Sequence, residues 1–147
     1  MRKPTLWITS CPTHIVGPLQ RDQFRVLVYS LARICTVVPW AIDSSWLPEN
    51  ERSYKQRMEI VQSVDLVVAL YPTVDGSDSR QEEVRTRMET GKPIFFAKHT
   101  SVNFSKFFAG MFEANSVTKI ENYHFFPDLI HPIEVRLEEI NGRIDAQ

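Results

Sequence analysis

Ser63-Val64-Asp65-Leu66-Val67-Val68-Ala69-Leu70-Tyr71 runs into Pro72-Thr73-Val74-Asp75-Gly76-Ser77-Asp78-Ser79-Arg80-Gln81-Glu82-Glu83, and the fold turns on that junction. A continuous apolar run opens into a polar loop with Asp, Gly and Ser. A segment of helical character follows, and then Gly91-Lys92-Pro93 leads to a second apolar run, Ile94-Phe95-Phe96-Ala97. Unbroken apolar runs between turn signals predict strands buried on both faces, as in a parallel sheet. Ligands of such sheets bind beyond the carboxyl ends of the strands, so the acidic loop and Glu82/Glu83 are expected at that edge.

Working outward, Thr5 to Thr9 reads as a first strand and Arg21 to Ile34 as a helix with Phe24, Leu27, Val28 and Leu31 on one face. Thr36 to Ile42 is a second apolar run, and Pro39 marks it as an edge or irregular strand. Arg52 to Ser63 predicts a helix, Asp65 to Tyr71 the third strand and Arg80 to Thr90 the next helix, with Gly91 placed to end it. Pro93 to Lys98 is the fourth strand. Phe104, Phe107, Phe108, Met111 and Phe112 form an aromatic stripe at helical spacing, which is the pattern of a core face. Val117 to Ile120 predicts a short fifth strand and Pro132 to Ile144 a final helix. Strands alternating with helices predict an α/β, doubly wound sandwich: a mostly parallel sheet of four to five strands flanked by helices, with residues 1–147 in one domain.

The chain has 147 residues, 43% of them hydrophobic and 24% charged, with a formal net charge of -1. That charge supplies no global field for duplex nucleic acid or an anionic membrane. No apolar run is long enough to span a bilayer. The two cysteines, Cys11 and Cys35, form no disulfide framework, and the four histidines show no metal-ligand spacing, so a cytoplasmic protein without metal or organic cofactor is expected.

Asp78, Ser79, Glu82 and Glu83 have two readings. Acidic residues in the first turn of a helix suit the macrodipole and a capping box. Alternatively, one Glu projects into a pocket at the sheet edge, where a carboxylate can attack an anomeric carbon. Neighbouring residues point roughly 100° apart around a helix, so only one of Glu82 and Glu83 can face such a pocket. Asp78 is the candidate for managing a proton. Ser10 and Thr13, after the first strand, offer hydroxyls to a sugar or phosphate, and Trp46, after the second, offers a face to a base.

This order of elements resembles the nucleoside deoxyribosyltransferase-like superfamily, which includes deoxynucleoside 5′-monophosphate N-hydrolases and small phage-type relatives. The resemblance rests on Ser63 to Ala69, Asp75-Gly76-Ser77-Asp78-Ser79 and Gly91-Lys92-Pro93-Ile94-Phe95-Phe96. Counting back from Gly91-Lys92 places the family's nucleophile on Glu83, with Glu82 the alternative. It implies cleavage or transfer at an N-glycosidic bond of a nucleoside or nucleoside 5′-monophosphate, no cofactor, and a homodimer or larger assembly. Asp78 would assist proton transfer, and Ser10, Thr13, Ser79 and Trp46 would contact substrate. The chain departs from the family around the nucleophile. Arg85 and Arg87 stand where Gly and Ala are usual, Arg57 stands at an Asp or Asn position, and Trp7 stands where the family has a Tyr. A non-catalytic nucleotide-binding or protein-interaction module on the same fold is the alternative reading.

Overall fold

The computed structural model describes residues 3–9, 18–38, 54–72, 78–117 and 119–145. Among them the elements are β1 (Thr5–Thr9), α1 (Pro18–Leu31), β2 (Thr36–Val37), α2 (Tyr54–Ser63), β3 (Leu66–Tyr71), α3 (Asp78–Thr90), β4 (Ile94–His99), α4 (Lys106–Ala114), β5 (Glu121–Tyr123), a 3-10 turn (Phe126–Leu129) and α5 (Ile130–Asp145). The strands form one sheet in the order β2-β1-β3-β4-β5. Every pairing is parallel. The expected doubly wound α/β sandwich is therefore the observed one, and β2 lies at the sheet edge.

All six residues of β3 are buried, as its unbroken apolar run requires of a strand covered on both faces. One core cluster runs from Leu6, Ile8 and Val68 to Phe24 and Leu27 of α1 and to Ile133 and Leu137 of α5. A second joins Ala69, Tyr71 and Phe96 to Val84 of α3 and to Phe108 and Phe112 of α4. The aromatic stripe is thus a core face. Phe104, Phe108 and Phe112 set edges against the Tyr71 ring at centroid distances of 5.2, 5.6 and 6.3 Å, a favoured geometry for aromatic pairs.

The start of β3 is tied to the start of β1 by side chains. Asp65 accepts from the Thr5 backbone N–H at 2.8 Å and from Thr5 Oγ1 at 3.1 Å. Its own N–H donates to Thr5 Oγ1 at 3.0 Å. The aspartate opening the third strand therefore fixes the β1–β3 register, Leu6 against Leu66 and Trp7 against Val67.

Several expected boundaries move. Helix α1 starts at Pro18 rather than Arg21, with proline tolerated in a first helical turn. The fifth strand is not at 117–120 but at Glu121–Tyr123. Val117 instead closes α4: its N–H bonds Phe112 O at 2.9 Å while Ser116, at φ 57°, bonds Glu113 O at 3.1 Å. That double bond is a Schellman cap, and the apolar residue after it serves the cap rather than a strand. Helix α5 starts at Ile130, two residues early, because a 3-10 turn leads into it.

Gly91 ends α3 at φ 71°, with its N–H on Met88 O at 3.1 Å. Nothing lies within 4 Å of where its Cβ would be, so only the backbone resists a side chain there. Gly91→Ala is expected to destabilise the fold by about 1 kcal/mol. The check is a urea titration, in which the midpoint falls and the slope stays constant.

Candidate active site

In a 2-1-3-4-5 sheet the chain order reverses between β1 and β3, and the crevice at that reversal is where ligands of such folds bind. Trp7 lies at the middle of β1, below the carboxyl edge and opposite Val67 near the start of β3. Residues alternate across a strand, so Leu6 and Ile8 face one side of the sheet while Trp7 and Thr9 face the other. Helix α3 covers the second side. Its residue Glu83 has no exposed surface, and its Oε1 accepts a hydrogen bond from Trp7 Nε1 at 2.9 Å. Glu82 is exposed. The 100° turn between neighbouring helical residues separates these two acids, one inward and one outward.

An ionised carboxylate is costly to bury without partners. The Trp7 indole supplies one donor, and an N–H donor cannot take up the proton of an acid. Glu83 is thus enclosed and held at a defined point by Trp7. Thr9 is buried on the Trp7 side of β1, two residues nearer the carboxyl edge. The sequence reading did not single it out, although strand alternation places it beside Trp7.

Arg85, Arg87 and Arg57 differ in burial. Arg85 is exposed. Arg87 is fully buried, one helical turn beyond Glu83, and bonds only to backbone carbonyls. Its Nη1 donates to Val61 O at 3.0 Å and Val64 O at 2.7 Å. Nη2 donates to Asp65 O and Pro93 O, both at 3.0 Å, and Nε to Pro93 O at 3.2 Å. Burial pulls this guanidinium down from 12.5 to about 10, and the Asp65 carboxylate pulls it back up, so it remains cationic at neutral pH. Arg57 is half-buried on α2, and its Nε has no hydrogen-bond partner.

Asp78 and Ser79 lie in the first turn of α3 rather than before it, five and four residues ahead of Glu83. Their side chains are outside the described set. Ser10, Thr13 and Trp46 also lie outside the described residues. The buried Cys35 thiol touches Leu31 O at 3.1 Å, and burial pushes it up to about 11, which suits an inert core residue. Among the described residues no group of three or more His, Cys, Asp or Glu could hold a metal ion, and no helix is long and apolar enough to cross a membrane. A groove of about 760 Å³ lies at the opposite, amino-terminal edge of the sheet, lined by Gly91 to Phe96, Asn115 to Val117, and Arg136 and Glu139 of α5. Neither Trp7 nor Glu83 lines it.

Comparison with known proteins finds no matching family model and no matching curated protein. Among solved structures, the fold matches that of the CMP N-glycosidase BcmB from Clostridium botulinum, with a TM-score of 0.60 and 16% sequence identity. The match covers 88% of this chain and 98% of that one. The two proteins share an architecture.

The Trp7–Glu83 contact makes a quantitative expectation. Trp7→Phe leaves a buried acceptor without its donor and should cost about 1–3 kcal/mol. In a Glu83→Gln background the same substitution should cost measurably less, since the charge-assisted bond is already gone. Denaturant unfolding of the four proteins in a double-mutant cycle gives the coupling.

Proposed function

We propose that this chain is a nucleoside deoxyribosyltransferase-like domain that cleaves or transfers the N-glycosidic bond of a nucleoside or nucleoside 5′-monophosphate, with Glu83 as the nucleophile. One observation carries the reading: of the two neighbouring glutamates, the one at the family's nucleophile position is turned inward against β1 and held by Trp7. The shared fold of a CMP N-glycosidase supports it.

In this reading a Glu83 oxygen attacks C1′ of the sugar. The C1′–N bond breaks, its electron pair leaves with the base, and the base nitrogen takes a proton from Asp78. Water then attacks C1′ of the glycosyl ester, returning Glu83 and a proton, or a second base does so and completes a transfer. The bond from Trp7 to Oε1 fixes the orientation of the carboxylate and so the line of attack. Enclosure of Glu83 excludes bulk water and strengthens the electrostatics of the step. Substrate therefore has to part the side chains over Glu83 as it enters. Ser10, Thr13 and Ser79 would contact sugar or phosphate, and Trp46 the base. The assembly would be a homodimer or larger, in the cytoplasm. Leu19, Val26 and Tyr29 of α1 are exposed apolar residues that a second copy could cover.

The complete burial of Glu83 favours a second reading, a module that binds a nucleotide without turnover. CMP and dCMP are the first probes, with free cytosine followed by chromatography and binding by calorimetry. Glu83→Gln is expected to lower base release about 10³-fold or more with the fold intact, and Glu82→Gln to leave it unchanged. Heat of binding without released base from the parent protein selects the binding module. Light scattering on the eluted protein checks the assembly, and a monomer contradicts it.

A further inference from the structure

We infer that Arg87 is a positioning residue for the Glu83 carboxylate: its guanidinium sets the rotation and height of α3 over β1 so that Glu83 meets the Trp7 indole. Helix α3, Asp78–Thr90, contains only two apolar residues, Val84 and Met88. These sit one turn apart and pack toward the sheet in the second core cluster. So narrow an apolar contact tolerates rotation about the helix axis, and polar contacts have to fix it. Near its middle the helix is held by Glu83 on Trp7. Near its end it is held by Arg87.

The Arg87 contact is well suited to that task. A guanidinium has five N–H donors in a rigid plane. All five bonds to backbone carbonyls are made, at Val61, Val64, Asp65 and twice at Pro93. Those acceptors belong to the end of α2, the start of β3 and the start of β4. Backbone acceptors in paired strands cannot move without the sheet. Arg87 lies four residues after Glu83, so the two share a face, about 40° and 6 Å apart. A shift of α3 by one residue would turn Glu83 by about 100° and remove it from Trp7. The link also closes on itself. Asp65 gives Arg87 its carbonyl and gives Thr5 its carboxylate, and Thr5 lies two residues before Trp7 on β1. Helix and strand are therefore tied at two levels, by Arg87 through Asp65 and by Glu83 through Trp7.

Only the turnover arm of the test rests on the proposed glycosidic reaction. Arg87→Lys keeps the charge and most of the stem but offers three donors without the planar fork. The probe is the Trp7 indole N–H in a nitrogen-15 proton correlation spectrum, assigned with Trp7→Phe. In Arg87→Lys its exchange with solvent should speed about tenfold or more while the circular dichroism stays that of the parent. Turnover of CMP should fall about 10²-fold in kcat with KM little changed. Lys92→Met is the control. Lys92 Nζ also holds the end of α2, on Gln62 O at 2.7 Å, but it stands outside α3. It should leave both readouts unchanged. A folded Arg87→Lys with the parent indole signal overturns the inference. So does an unfolded one, since the residue is then needed for the fold at large. If the parent turns over no nucleotide, the reaction is misassigned and the indole signal alone decides the role of Arg87.

Discussion

A single buried cation ties α3 to the end of α2 and to the residues that lead into β3 and β4. Arg87 carries a full charge into a site with no exposed surface and meets no carboxylate oxygen among its five hydrogen bonds. Burying a charge without neutralising it is costly, and the cost is met here by geometry. Two acceptors, Val61 O and Val64 O, belong to the end of α2, where carbonyls lack partners within the helix and the macrodipole is negative. Lys92 reaches the same end at Gln62 O. The remaining acceptors open β3 and β4. One side chain thereby satisfies the loose ends of a helix and aligns two strands with the helix between them.

From that anchor the candidate site follows by helical arithmetic. Once Arg87 faces the sheet, Glu83 one turn away faces it too, and Glu82 must face solvent. The carboxylate arrives over β1, where strand alternation presents Trp7 rather than Leu6 or Ile8. The groove at the other edge of the sheet has no such convergence. Its acids and bases pair locally, Arg136 with Glu139 at 2.8 Å and Lys119 with Glu121 at 3.8 Å. What distinguishes the Trp7–Glu83 contact is a fully buried carboxylate paired with a donor that can only donate.

Much of the architecture was legible in the sequence because it rests on strong local signals. The run Leu66 to Tyr71 can hardly be anything but a doubly covered strand, and Gly91 before Lys92-Pro93 marks a helix end that needs φ > 0. That only one of the two neighbouring glutamates could face inward was legible through the 100° rule, and Glu83 is the buried one. Other features were not legible. Val117 reads as the start of a strand, but its partner is Phe112 across a Schellman cap, and a cap of this kind with Ser rather than Gly at the turn carries little sequence signature. Arg87 reads as a solvated helix residue, because most arginines are. Its five acceptors are main-chain atoms from three other segments, so no residue type near it announces them. The bond from Trp7 to Glu83 spans 76 residues and depends on the sheet being formed.

Arg87 also determines how α3 is seated. A glycine or alanine lets a helix lie close against its strand through backbone contact. An arginine at that place has to be pushed out to water or taken in and satisfied. Here it is taken in, and the small apolar contact of Val84 and Met88 is enough because the polar contact does the aligning. Trp7 fits the same logic at the other level. A tyrosine hydroxyl can donate, accept or lose a proton, whereas an indole N–H can only donate. Both contacts are fixed rather than adaptable. The result is a carboxylate whose position is determined twice over, by a cation below it that bonds main-chain oxygens and by a donor beside it that carries no acid–base chemistry.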